Sequence, residues 1–385
     1  MDVFILNTAV LDLRSDEFEF VNSLVGPGGV ARRDNAKMPA YTQAQISHWI
    51  DDGRANAGGP GNTAPLIART GLSVGVGAMV GSGSFGGFDI QGRTFHDVLS
   101  ATGVDMSSTL PHPTLPTGTT FIYESPEAER GGIVFFPNAN DAFSFKRFER
   151  EVQRHRPAIV YYMYSGLSES GDANEGRDLA NFIAWCRNLG CITIVDSHTL
   201  GSDPHSIINS GQPVDAYRLL IPLLDQVDIF FTSANEARMI GNTIDAPGRW
   251  SSGSEDEFIP AFLSYLSGRF ASLEGRSRLF GVTVANGAYA RMKSHGTTPS
   301  TRLYESPFMT GEVVDLVGAG DSFRAGLISY IAANTESFQD GSIHVDEAVQ
   351  MGNLVASLFI KAPLNDRYSN IPSYERLLAT VRGRH

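Results

Sequence analysis

The chain has 385 residues, a formal net charge of −12, and 42% hydrophobic against 19% charged residues; that balance suits one large α/β domain with elaborations, or two modest ones. With this acidic surplus and no Lys/Arg run or basic stripe, a nucleic-acid backbone is excluded as a partner, and an anionic ligand must be held by local amides and a metal rather than by a global positive field. Cys186 and Cys191 are the only cysteines, at neither metal-ligand spacing nor disulfide density, which points to a reduced, cytoplasmic setting.

The opening MDVFILNTAVLDL has no positive n-region and reads as a buried first strand over Val3–Leu6, not a signal peptide, and no apolar run reaches membrane-spanning length. Asp12 comes just past that strand, at the end where doubly wound sheets take ligands; as a plain loop residue it would only face solvent. Between 14 and 56, a Gly-rich turn at 26–29 and a helical pattern over 41–50 have the size of an inserted cover, with His48 and Trp49 as its packing. Ala57-Gly58-Gly59-Pro60-Gly61-Asn62 then opens a helix. Its glycines admit a polyhydroxy ligand close to the backbone, and the Asn62 amide can donate and accept at once. A strand is expected over 73–80, a helix ending before Gly103, and an alternating strand over 116–123, with Phe121, Tyr123 and Phe135 as aromatic candidates for stacking or for core.

The second half repeats strand and helix. The stretches 159–164, 192–195, 227–232 and 279–284 are apolar runs of strand length. Between them lie helical patterns such as 177–189, where Leu179, Phe182, Ile183, Cys186 and Leu189 share a face and Gly190 ends the helix. Such alternation predicts a mainly parallel sheet covered on both sides. Polar groups fall at the C-terminal ends of these strands: Asp196-Ser197-His198, Asn235-Glu236 and Asn286-Gly287. Helices over Val345–Ile360, carrying Asn353, and over 374–381 close the chain.

The most informative stretch is GEVVDLVGAGDSFRAGLISY, beginning at Gly311. It reads as a β-rich lead through Val313 and Val314 to Asp315, a glycine turn at Gly318-Ala319-Gly320, and a helix opening at Asp321 with Phe323, Leu327 and Ile328 on one face. Glycines let consecutive N–H groups turn inward around an anion, and the helix behind adds its unpaired amides and positive dipole end. A carboxylate at that mouth can cap the helix or take a proton from a hydroxyl attacking a phosphate.

Asp315, Gly318, Ala319, Gly320, Asp321, Phe323 and Gly326 spell D-x-x-G-A-G-D-x-F-x-x-G, which resembles the C-terminal signature of the ribokinase-like (PfkB) carbohydrate kinase family. The resemblance implies a single ribokinase-like α/β domain over 1–385, doubly wound with helices on both faces. It also implies a smaller lid, built from about 13–56 and 111–137 with an extra helical segment. Asp321 would be the general base, and the amides of Gly318, Ala319, Gly320 and Asp321 the anion hole. Asp12, Gly58, Gly59 and Asn62 would hold the acceptor, the last three through a G-G-x-x-x-N-x-A pattern in which Ala57 replaces the first Gly. The family's V-G-x-D-x-x-G pattern falls on 80–86 with Gly83 in place of Asp. Glu129-Arg130 and 135–140 resemble further sugar-kinase motifs.

On the nucleotide side the resemblance implies Asn235, Asn286, Gly287 and Asn353. The V-T-x-G loop falls either on 284–287 or on a shifted register through Thr283. In N-x-x-E, Arg238 stands where the family has Glu, so Glu236 would have to serve the metal or Arg238 meet phosphate directly. Leu316 replaces a Thr, which bears on K+ binding. The implied cofactors are ATP and Mg2+, with K+ left open. The implied activity is ATP-dependent phosphorylation of a primary hydroxyl of a small sugar. The helical pattern in the lid keeps an adenosine-like nucleoside open as acceptor, and the altered motifs keep open a non-catalytic sugar or nucleotide sensor. Lid strands in this family pair between subunits, so a homodimer through the lid is a further expectation; neither a nucleic acid nor a membrane is expected as a partner.

Overall fold

The computed structural model describes residues 1–124, 132–270, 276–294 and 300–383; the Glu129-Arg130 motif lies outside them. Among the described residues, an eight-stranded sheet runs in the order Thr301–Glu305, Gly287–Lys293, Arg278–Val284, Ile229–Ser233, Ile192–Ser197, Ile159–Ser165, Val3–Leu6, Val74–Gly77. From Arg278–Val284 onward every pairing is parallel, and the first three strands form an antiparallel meander at one edge. The Val3–Leu6 run forms a strand because all four residues are buried on both faces, in register with Ile159–Tyr162 on one side and Val74–Gly77 on the other. Separate hydrophobic clusters pack against the two faces of the sheet. No helix among the described residues is long and apolar enough to cross a membrane.

A five-stranded sheet, ordered Val30–Arg32, Ile133–Phe136, Gly118–Tyr123, Val10–Ser15, Ala55–Gly58, lies beyond the C-terminal ends of the parallel strands. Its side chains alternate as a pleat requires. Val10, Asp12, Thr120, Ile133 and Phe135 face the large sheet. Leu11, Leu13, Phe121, Val134 and Phe136 face outward into an aromatic cluster with Phe18, Ile46 and Trp49. The helix Gln43–Asp51, started by a Thr42/Gln45 capping box, supplies Ile46 and Trp49 to that cluster and leaves His48 exposed beside Asp52. The outward face is thus covered by the chain's own residues, and pairing of two copies through this sheet would have to use its edges. Val30 and Gly26 donate backbone bonds to Gly201 and Ser202 at 3.0 and 2.8 Å, tying the sheet's edge to the main body.

Three expectations are corrected. The strand over 73–80 is two: Gly77 O accepts from Asn7 N while Ala78 O accepts from Leu110 N, so the chain leaves the large sheet there, and Met79–Gly83 joins a separate three-stranded sheet. Leu189, placed on the buried face of its helix, is 51% exposed, because Arg177–Asn188 has already ended. The lead into the signature is not a strand: Val313 and Val314 are exposed, and the amides of Val314 and Asp315 both donate to Ile360 O, satisfying a carbonyl at the end of helix Val345–Ile360.

Candidate active site

The signature folds as a sharp turn because Asp315 Oδ1 accepts from Val317 N at 2.8 Å, and Gly318 then takes a left-handed φ of 86°. A side chain at 318 would be strained there and would press on Phe359 and Asn62. Gly318 is the cap of helix Ala319–Ala332, so Asp321 is not; its carboxylate is left for other work. Of the amides expected to form the anion hole, that of Ala319 is already engaged, donating to Leu316 O at 3.1 Å. Those of Gly320 and Asp321 have no backbone carbonyl partner among the described residues.

Asp321 faces a cavity of about 240 Å³ between the two sheets, lined from below by the C-terminal ends of the parallel strands through Thr8, Tyr164, Ser197, Ser233 and Thr283. Its Oδ2 accepts from Tyr164 OH at 2.7 Å and from Asn62 Nδ2 at 3.3 Å, and its Oδ1 lies 3.6 Å from Arg324 NH1. Asp12 lines the opposite wall; burial pushes its carboxyl up to about 6 against the opposing pull of Arg14 and Thr120. Gly59 and Asn62 also line the cavity. Gly58 does not, but a Cβ there would collide with the Asp12 carboxylate, so this glycine makes room for that side chain.

The residues expected on the nucleotide side are placed differently. Asn235 is exposed at the start of helix Ala234–Ile244, and Asn286 is exposed in the turn between Arg278–Val284 and Gly287–Lys293. Gly287 is buried against Tyr304 O, and Asn353 is buried, donating to Tyr304 O and Gln350 Oε1. None of the four lines the cavity; Thr283, of the shifted register, does.

Glu236 lines it too, but its oxygens are taken by Thr199 Oγ1 at 3.0 Å, Thr232 Oγ1 at 2.8 Å and Ser233 N at 2.9 Å. Burial would raise this carboxyl, yet the Ser233 amide, with His198 and Arg324 nearby, holds it below the ordinary range. The i, i+3 spacing of N-x-x-E is therefore met by Ser233 and Glu236 as a capping box, with Ser in the Asn place. Arg238 meets no phosphate site. It donates to Trp250 O, Ser252 O and Gly253 O and stacks on Phe258, so it anchors a loop.

Sequence reasoning missed Tyr164 and Arg324, and it named Asp196 only as a polar group at a strand end, without a role or partner. Tyr164 sits at the end of its strand with φ 61°, a left-handed value costly for a non-glycine. Asp196 accepts from Tyr161 OH at 2.9 Å and Tyr164 N at 2.8 Å, and burial raises its carboxyl to about 6. Arg324, inside the signature at an unspecified position, bridges Asp196 and Asp321. Of the aromatic candidates, Phe135 alone lines the cavity.

Unengaged amides at a helix start suit the phosphates of a nucleotide. No group of three or more His, Cys, Asp or Glu placed to hold a metal occurs among the described residues. A divalent ion fits here as one carried on nucleotide phosphates with its own waters, not as one caged by protein ligands.

A family model described as pfkB family carbohydrate kinase matches residues 41–257 and 285–366. Among solved structures, adenosine kinase from Anopheles gambiae in complex with P1,P4-di(adenosine-5) tetraphosphate superposes with a TM-score of 0.68 at 16% identity, covering 97% of this chain and 100% of that one. Fructokinase with bound ATP from Xylella fastidiosa gives 0.63 at 18% identity over 99% and 98% of the two chains. Aminoimidazole riboside kinase from Salmonella enterica gives 0.60 at 15% identity over 99% and 100%. No curated protein sequence matches.

Proposed function

Because the chain belongs to the pfkB family of carbohydrate kinases, we propose that it transfers the γ-phosphoryl group of ATP to a primary hydroxyl of a small sugar. The observation that carries this reading is the Asp321 carboxylate facing a cavity beside the unengaged amides of Gly320 and itself. Asp12 and Asn62 hold acceptor hydroxyls. Asp321 removes the proton of the attacking hydroxyl, and Tyr164 and Asn62 keep its carboxylate aimed. The amides of Gly320 and Asp321 receive phosphoryl oxygens, the larger share of the work in phosphoryl transfer. A divalent ion, when bound with the nucleotide, neutralises phosphate charge. The smaller sheet acts as the lid that keeps water, a competing acceptor, from the reacting centre.

A second reading changes the acceptor to a nucleoside. Its support is the wall that the smaller sheet turns to the cavity: Val10, Val30, Ile133 and Phe135 are apolar, with Leu167 beside them, and of the sheet's own lining residues Asp12 and Thr120 are the polar ones. A pentose or hexose leaves most of that wall unmatched, whereas a base covers it.

Coupled ADP-release assays on a panel of sugars and nucleosides, with mass detection of the phosphorylated product, test both readings. Turnover should appear with one class and fall by about 10²- to 10⁴-fold in Asp321→Asn while the variant still melts cooperatively. Wild-type turnover persisting in Asp321→Asn would refute the base assignment.

A further inference from the structure

Among the described residues that line the cavity, Asp12, Glu236 and Asp321 are acidic, and Arg324 is the one lysine or arginine. A triphosphate entering such a site meets carboxylates on several sides, and repulsion between like charges at these distances is not screened by water. The disposition of the guanidinium therefore matters. Its Nε lies 3.3 Å from Asp196 Oδ2, and one terminal nitrogen donates to Phe231 O at 3.1 Å. The ion pair, in which Nε makes no hydrogen bond, and the single bond to Phe231 O hold the group to the floor of the site. The other terminal nitrogen, NH1, is directed at the helix start: it lies 3.6 Å from Asp321 Oδ1, outside hydrogen-bond reach, and 3.1 Å from where a Cβ on Gly320 would be. That places an N–H donor beside the first turn of the helix whose Gly320 and Asp321 amides are unengaged. Burial disfavours a charge there, but Asp196, with Tyr161 and Asp321, more than offsets it and keeps the group cationic.

We propose that Arg324 NH1 donates to an oxygen of the transferred phosphoryl group, so that this chain carries its own fixed cation in the anion hole. The proposal rests on the kinase reading above. In the transfer the acceptor oxygen bonds to phosphorus as the bond from phosphorus to the β–γ bridging oxygen breaks. The hydroxyl proton goes to Asp321 and ADP departs; Arg324 exchanges no atom and meets charge gathering on the phosphoryl oxygens. A planar, permanently charged donor held by an ion pair to Asp196 and a hydrogen bond to Phe231 O loses little on reorganisation, which is the property such a site rewards.

A purely structural Asp196–Arg324 pair would matter to folding alone, so the test reads the γ-phosphate selectively. Binding of ADP and of a non-hydrolysable ATP analogue is measured by calorimetry on the full chain without acceptor, for wild type, Arg324→Gln, Arg324→Lys and the double variant Asp196→Asn/Arg324→Gln. The double variant removes both charges of the buried pair and reports on the site if the single one fails to fold. Removing Arg324 should weaken the triphosphate analogue by about tenfold or more and leave ADP affinity nearly unchanged, with kcat falling in step and Arg324→Lys lying between. Unchanged analogue affinity, or equal losses for ADP and the analogue, would overturn the proposal. If wild type turns over ATP and the variants behave like it, this inference fails alone; if wild type neither binds nor consumes ATP, the kinase reading fails and takes this one with it.

Discussion

Asp12 offers a test in which binding and stability move in opposite directions. Its carboxyl is buried at the cavity wall and pushed from an ordinary value of 3.8 to about 6, chiefly by desolvation. A raised carboxyl means that the folded chain holds this proton more tightly than the unfolded chain does. The ionised side chain therefore costs nothing below about pH 4, costs progressively more between there and about 6, and carries its full penalty above that. About two units, at roughly 1.4 kcal/mol each, make a penalty of about 3 kcal/mol at pH 8. Asn in its place keeps an acceptor for Thr120 and removes the charge. Arg14 is not orphaned by the change, since it already pairs with Asp315 at 2.8 Å.

Asp12→Asn should thus be more stable than wild type by about 3 kcal/mol at pH 8, with the gap narrowing as the pH is lowered from about 6 towards 4. Urea unfolding of both proteins across that range measures it. The same variant should raise the KM for the acceptor by about tenfold, the worth of a charge-assisted hydrogen bond, without a matching change for ATP. A variant less stable than wild type at pH 8, or a gap that does not depend on pH, would refute the account of Asp12 as a carboxylate held ionised at a cost for the sake of its ligand.

Three other outcomes follow from the same geometry. A Cβ at Gly29 would collide with Ser202 O, next to the backbone bonds that tie the smaller sheet's edge down; Gly29→Ala should raise ATP hydrolysis relative to transfer, and an unchanged ratio would show that this seam does not govern water access. Replacing Arg238 by Met removes three hydrogen bonds to carbonyls and should cost about 1–3 kcal/mol of stability while leaving the KM for ATP alone; a tenfold rise in that KM would restore it as a phosphate contact. Asp315 is bonded by both Arg14 and Arg367, the latter also directed at Val317 O, so its charge is already met by two resident cations. Turnover should then change by less than about twofold when K+ is replaced by tetramethylammonium, since the Asp315 carboxylate is already paired; strict K+ dependence would contradict this.

The central strands were legible because burial on both faces leaves an uninterrupted apolar run, as in Val3–Leu6. Asn62 and Asp321 could be placed at the cavity because each stands at a glycine turn whose chemistry is local; Asp12, expected just past the first strand, reaches the cavity from the middle of a second strand, Val10–Ser15. The register of two motifs was not legible. The Asp missing from V-G-x-D-x-x-G is supplied by Asp89, three residues before Gly92, whose amide it accepts at 2.7 Å; the hairpin of Met79–Gly83 and Gly87–Phe88 intervenes. N-x-x-E slides two residues to Ser233 and Glu236; of the two registers left open for the nucleotide loop, only the one through Thr283 lines the cavity, the hairpin after Arg278–Val284 turning at Ala285-Asn286. Tyr164, Asp196 and Arg324 could not be read as partners, since Tyr164 meets Asp196 from a neighbouring strand, the contacts of Tyr164 with Asp321 and of Asp196 with Arg324 join distant parts of the chain, and Arg324 occupies a position the signature leaves free.

The slips at Asp89 and at Ser233 share a cause that also locates the chemistry. A helix start offers unpaired amides and, in most sequences, spends them at once on its own capping side chain. Asp89 is consumed this way by helix Ile90–Ala101, and Ser233 with Glu236 by helix Ala234–Ile244. A motif read as a ligand site at either place is first of all a cap. At Ala319–Ala332 the chain enters through Gly318, whose left-handed backbone turns the helix without lending it an acceptor. The amides of Gly320 and Asp321 stay unspent, and the carboxylate that would ordinarily have closed on them is held off by Tyr164 and Asn62. An anion hole and a base can share one helix turn only if the helix is capped by backbone geometry rather than by a side chain. Gly318→Asn, which tolerates the left-handed φ but adds a capping oxygen and presses on Phe359 and Asn62, should therefore lower turnover far more than it lowers stability.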